Sequence, residues 1–314
     1  MKLNKSHAFQ AFVFAAIATF LNVGASSVTR AGTLIGNGDG IVEQNCFYAY
    51  TAIPKAIDSC LSAADVCGVS PDDMILLKRI KAIVLQYPAT SQRILFTSDS
   101  ARPSFFETGL GQAHRVAQTG FIPTVPIYFN TDQFYNVNGT PALDLPILTS
   151  ILIHELGHQA GIVEHAYLDQ LGSRIRNWLM NRTFELGYHY PNSSLKVLSI
   201  NYANQNSTPD LYFVDDKGSS SLVKVLTPVA RCTDPTEILI GWSVTNLHWD
   251  SQLNLSGSSG LFSTSKTGSL ALGGWLELEC VRNGRLEVEH PAFDLILGLK
   301  DVGGTVRFSD ATLH

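Results

Sequence analysis

Charge is what this chain has little of. Asp, Glu, Lys and Arg make up 16% of its 314 residues, and 22 basic side chains face 27 acidic ones. A net charge of −5 without a basic cluster leaves no electrostatic footprint for nucleic acid or for an anionic membrane surface. Beyond Ala25 no apolar stretch approaches the roughly 18–20 residues that cross a bilayer, so no membrane span is expected. Internal repeats and low-complexity tracts are missing too. What remains is a globular chain, 45% hydrophobic and long enough for one large domain or two ordinary ones.

The first residues read as a targeting segment. Lys2 and Lys5 form a positive start, Ala8–Leu21 is apolar apart from Gln10 and Thr19, and Val23-Gly24-Ala25 fits a small-residue cleavage site. The run is too short to span a membrane, so export to a secreted or periplasmic location is expected. Export makes disulfides the expected state of cysteine. Cys60 and Cys67 close a short loop, Cys232 and Cys280 are natural partners in the C-terminal part, and Cys46 is left as a buried thiol.

Gly36–Gly40 is glycine-rich but lacks the Gly-Lys-Ser/Thr of a phosphate loop, so it reads as a turn before a helix. Ile41–Cys60 is apolar at helical spacing, with Pro54 expected to kink or split it. Ser70-Pro71-Asp72-Asp73 is a strong helix start, for a helix running to about Gln86. Arg93–Thr97 and Thr124–Asn130 read as strands, the second an edge because of its proline. His114 between them reads as a surface histidine. Leu168, Leu171, Ile175, Trp178 and Leu179 give a helix from His165 to about Leu186, and Gly187–Asn206 reads as loop. After that the period becomes two, in 211–214, 221–226, 237–244, 269–281, 285–289 and 305–308.

The stretch that carries chemistry is Thr149–His165, TSILIHELGHQAGIVEH. Asp144 and Pro146 start its helix. His154 and His158, four residues apart, lie on one helical face and can share one Zn2+. Glu155 is offset from them by one residue, placed to take a proton from a metal-bound water. Gly161 suits a left-handed helix end. Beyond it Glu164 and His165 are two candidates for a third ligand, and Asp169 is placed to orient a ligating imidazole.

His154-Glu155-xx-His158-xx-Gly161-xx-Glu164 resembles the metzincin zinc metallopeptidases, whose motif continues HExxHxxGxx into a third ligand. In that register Glu164 occupies the ligand position and His165 follows it. Met180, the only methionine downstream, lies in a helical pattern and does not read as that family's methionine turn. An arrangement like that of the gluzincins would instead take Glu185. The resemblance implies a zinc-dependent peptidase acting on a peptide or protein substrate, its bond cleaved by a Glu155-activated water. A non-catalytic exported binding or envelope protein with a degenerate motif is the competing reading. A zinc hydrolase of non-peptide amides shares the same site.

The expected fold class is α+β: a mixed sheet with a zinc-binding helix, then a β-rich C-terminal portion with the strand spacing of a sandwich. The expected divisions are 1–25 as signal peptide, 26–206 as catalytic domain and 207–314 as the β-rich domain. Nothing in the sequence speaks to oligomeric state.

Overall fold

The long helix α1 (Ile41–Ser62) shows how the N-terminal half is built. Val42, Cys46, Ala49, Tyr50, Ile53, Ile57 and Cys60 recur every three or four residues, and all are buried. The helix continues through Pro54 without a break, because buried contacts on both sides hold it. The computed structural model describes residues 40–90, 92–107, 114–190, 193–202, 208–253, 255–256 and 266–314. The expected targeting segment and most of the glycine-rich turn lie outside these residues. Among them, no helix is long and apolar enough to cross a membrane.

After the short α2 (Ala64–Cys67), α3 (Pro71–Gln86) starts on a complete capping box. The Ser70 hydroxyl accepts from Asp73 N–H at 3.2 Å, and the Asp73 carboxylate accepts from Ser70 N–H at 2.7 Å. A three-stranded sheet follows, of β1 (Ile94–Thr97), β2 (Ala117–Gln118) and β3 (Ile127–Asn130), in the order β1-β3-β2. β3 runs parallel to β1 and antiparallel to β2, so the sheet is mixed. β3 is therefore the central strand, not the expected edge. Pro126 falls just before it and costs the ladder no donor, which leaves β2 as the edge.

Helices α4 (Leu145–Gln159) and α5 (His165–Met180) form an αα-hairpin against α1. α5 stops at Met180. The residues expected to finish that helix and form a loop are instead two paired strands, β4 (Thr183–Tyr190) and β5 (Ser193–Ile200). β5 (SSLKVLSI) is buried at all but one position, which explains why it shows no alternation. β6 (Asp210–Asp215) and β7 (Gly218–Ser221) complete a four-stranded antiparallel sheet, order β4-β5-β6-β7. The strand expected at 221–226 is mostly a short helix, α6 (Val223–Leu226).

The last sheet is antiparallel. β9 (Lys266–Arg282) pairs on one side with β8 (Ile238–Trp249). On the other it pairs with β10 (Arg285–Glu289) and β11 (Ala292–Val302), and β12 (Thr305–Leu313) adds to β11. The two antiparallel sheets share one core, with Leu195, Val197, Leu211 and Phe213 from one and Leu270, Leu272, Leu295 and Leu297 from the other. The fold is α+β with a sandwich-like C-terminal part.

The expected boundary at 206/207 falls between β5 and β6, which are hydrogen-bonded partners. A buried carboxylate joins the halves further: Asp210 accepts from Tyr48 of α1 at 3.0 Å and from Tyr202 at 2.7 Å, and Lys55 pairs with it. The Cys60–Cys67 and Cys232–Cys280 disulfides are formed, and Cys46 is a buried thiol whose pKa burial pushes up.

Candidate metal centre

Asp144 opens α4, its carboxylate accepting from Ile147 N–H at 2.8 Å, and Pro146 sits in the first turn. Leu148, Leu152, Ile153 and Leu156 bury one side of the helix, and His154 and His158 emerge on another. The helix ends in a Schellman motif. Gly161 takes φ +92°, its N–H reaches His158 O at 2.9 Å, and Ile162 N–H reaches Gly157 O at 3.1 Å. The turn has a second effect. Its Ile162 carbonyl lies 2.7 Å from His158 Nδ1, which leaves Nε2 of that ring as the free donor.

α5 then comes back against α4 at very close range, through two glycines. A Cβ on Gly157 would stand 2.3 Å from Leu168 Cδ2, and one on Gly172 would stand 2.7 Å from the Ser150 carbonyl. This approach brings the first residue of α5 over the motif. His154 Nε2, His158 Nε2 and His165 Nδ1 converge, with separations of 3.1 Å (154–158), 3.0 Å (154–165) and 3.2 Å (158–165). A tetrahedral zinc with bonds of about 2.0–2.1 Å sets its nitrogen ligands roughly 3.3–3.4 Å apart. The three nitrogens fit that ion with shifts of a few tenths of an ångström.

His165 thus joins the pair, and Glu164 does not. Glu164 is exposed at the N-cap of α5, with no side-chain capping bond. Counting along the HExxHxxGxx pattern points to the Glu164 carboxylate, but the helix starting at 165 turns the next side chain toward the cluster. Glu185 is elsewhere. It lies in β4, accepts from Leu145 N–H at 3.2 Å and pairs with Lys196 at 2.7 Å. That is the opposite end of α4, nine residues and roughly 13 Å of helix from His154. Asp169 lies beside His154, with Oδ1 2.8 Å from His154 Nδ1. Met180 is exposed at the end of α5, and His114 is an exposed partner of Asp99 at 3.0 Å.

The electrostatics suit a metal. Burial holds the His154 pKa down, against the opposing pull of Asp169; burial lowers His158 as well, and the neighbouring imidazoles add to both shifts. Neutral imidazole is the ligating form. Glu155 is 6% exposed, and burial pushes its pKa up to about 7, against the Arg115 charge and a hydrogen bond from Thr119 N–H. The other donor cluster among the described residues, Cys232, Glu237 and Cys280, has its sulfurs joined and offers no thiolate.

The sequence reading missed the segment from Arg115 to Val125, which runs through β2 beside the motif. Thr119 reaches Glu155, and the Phe121 ring stands edge-on to His158 at 5.5 Å between centroids. Buried Arg93 fixes this segment, donating to Tyr50 Oη at 2.9 Å, to the carbonyls of Pro123 at 2.5 Å and Val125 at 2.7 Å, and to Gln159 Oε1. Gln159, the last residue of α4, returns bonds to Thr119 Oγ1 at 2.6 Å and Val125 O at 3.0 Å. No periodicity announces such a network. The only hint was a charged residue opening an otherwise apolar strand at Arg93.

No family model matches the chain, and no curated protein or solved structure matches it either.

Proposed function

We propose that this chain is an exported zinc-dependent peptidase that hydrolyses peptide bonds in a peptide or protein substrate. The observation that carries the reading is the convergence of three imidazole nitrogens within 3.0–3.2 Å, beside a buried glutamate one residue along the helix. Three histidines are a donor set of catalytic zinc, which keeps its fourth position open. Bound there, zinc would supply Lewis acidity, making a water a nucleophile near neutral pH and polarising a carbonyl.

The chain's own residues supply the rest. The Ile162 carbonyl holds the His158 ring by its outer nitrogen, and the Asp169 carboxylate lies 2.8 Å from that of His154. Glu155 takes a proton from the attacking water and delivers it to the leaving amine as the C–N bond breaks. The edge strand β2 lies next to α4 and offers backbone groups with which an extended substrate can pair. The two disulfides are consistent with an oxidising compartment, which supports export.

The test is Glu155→Gln in zinc-loaded protein, assayed on a mixed peptide library. Expected is retention of about one zinc with cleavage reduced about 10²–10⁴-fold, the usual contribution of a general base. Chelator-sensitive cleavage that survives the change intact removes Glu155 from the mechanism. Wild-type protein that holds zinc and cleaves nothing favours the binding-protein reading.

A further inference from the structure

The proposed centre has a cation beside it, Arg115, and no partner for its side chain stands among the described residues. Arg115 opens the segment that becomes β2, and its backbone is pinned on both sides. Its N–H donates to Phe106 O at 2.8 Å, its carbonyl accepts from Asn130 Nδ2 at 3.5 Å, and the next carbonyl, of Val116, accepts from Asn130 N–H at 2.8 Å. The side chain is half-buried, and its positive charge acts on both Glu155 and His158. Yet among the described residues no hydrogen bond or ion pair engages the guanidinium.

Several other arginines are engaged, although Arg176 and Arg307 each keep a buried Nε without a partner among the described residues. Arg93 binds three carbonyl-type oxygens and a hydroxyl, Arg174 pairs with Asp73, Arg282 faces Asp234, Glu237 and Glu287, and Arg182 lies over the Trp178 ring. A guanidinium partly removed from water and left unpaired is unfavourable, and a ligand carboxylate that docks there restores two charge-assisted hydrogen bonds. Phe121 and Ile122, the exposed residues where this segment meets His158, are apolar. Among the described residues Arg115 is the basic group that acts on both Glu155 and His158.

Resting on the peptidase reading, we infer that Arg115 recognises a carboxylate carried by the substrate close to the scissile bond. An acidic side chain and the C-terminus of the substrate peptide share this chemistry. Arg115 acts on specificity: it binds the anion and leaves the proton transfers to Glu155.

The experiment uses zinc-loaded full chain, as wild type, Arg115→Lys and Arg115→Gln. The probes are matched peptides in two arms. One arm compares Asp or Glu with Asn or Gln along the peptide, and the other compares a free C-terminus with its amide. The expected result is that wild type prefers the acid twin in one arm by about ten- to a hundredfold in kcat/KM, mostly through KM. Arg115→Gln abolishes that preference, slowing the acid twin more than the amide twin, and Arg115→Lys, which keeps the charge beside Glu155 but loses the planar fork, falls between. The arm that responds identifies the source of the carboxylate.

Equal cleavage of both twins by wild type overturns the inference and leaves the peptidase reading standing. So does an equal loss on both twins in Arg115→Gln. If zinc-loaded wild type cleaves neither twin, the peptidase reading fails. Calorimetric binding of the same twins then decides the carboxylate inference alone: acid-selective binding lost in Arg115→Gln supports it, and indifferent binding overturns it.

Discussion

Replacing His165 and Glu164 one at a time separates the two third-ligand assignments. The imidazole of His165 completes the nitrogen triangle, and the Glu164 carboxylate lies outside it. A structural zinc site with four protein ligands binds with about 10–16 kcal/mol, so one ligand accounts for roughly 3–4 kcal/mol. At 1.4 kcal/mol per factor of ten, His165→Ala should weaken zinc by about 10²–10³-fold. Glu164→Ala should change it by less than about threefold, since an exposed side chain without partners contributes little. The assay is competition against a chromophoric chelator, with unfolding of metal-free protein as the control. His165 is exposed, so its loss should leave metal-free stability within about 0.5 kcal/mol. Thermal stability with excess zinc should then fall by the lost binding linkage, about 2.3–2.7 kcal/mol when zinc is held at a hundred times the wild-type dissociation constant. If Glu164→Ala weakens zinc as much as His165→Ala does, the helix start at 165 does not set the ligand, and the family register was the better guide.

Two further changes test the scaffold under the site. Gly172→Ala puts a Cβ 2.7 Å from a backbone carbonyl of α4, which cannot rotate away, so it should cost about 1–3 kcal/mol in denaturant unfolding and also weaken zinc, because His165 rides on α5; unchanged zinc affinity would uncouple the helix contact from the site. Asp73 holds α5 to the cap of α3 through Arg174 at 2.5 Å, and although burial would raise its pKa, Ser70, Tyr167 and Arg174 together hold it below the usual carboxylate value. A depressed folded pKa contributes stability that is present above the unfolded value of about 4 and lost as pH falls through the folded one. Asp73→Asn should therefore cost about 1–3 kcal/mol at pH 7 and progressively less below pH 4, and a cost independent of pH would mean that the charge is not what ties the helices.

What could be read in the sequence divides along the range of the forces involved. The capping box at Ser70, the cap at Asp144, the helix end at Gly161 and the pair His154–His158 depend on residues within one or two turns, and each stands as the spacing implies. The two disulfides followed from compartment and count. Errors arise where a local pattern met a tertiary demand. β5 is buried along nearly its whole length and so lost the alternation that marks a half-buried strand, and β3 became central because its proline precedes the ladder. The site repeats this division. Its His154–His158 pair is local, but the group over its glutamate comes from a segment some 36 residues earlier, held by Arg93 at a separation of 66 residues from Gln159. A motif therefore specifies the reaction that a helix can perform, and selectivity is set by whatever strand the fold lays beside it. Here the segment leading into that strand carries Arg115, for which the described residues offer no partner, so substrate charge should be decided there, outside the five-residue motif.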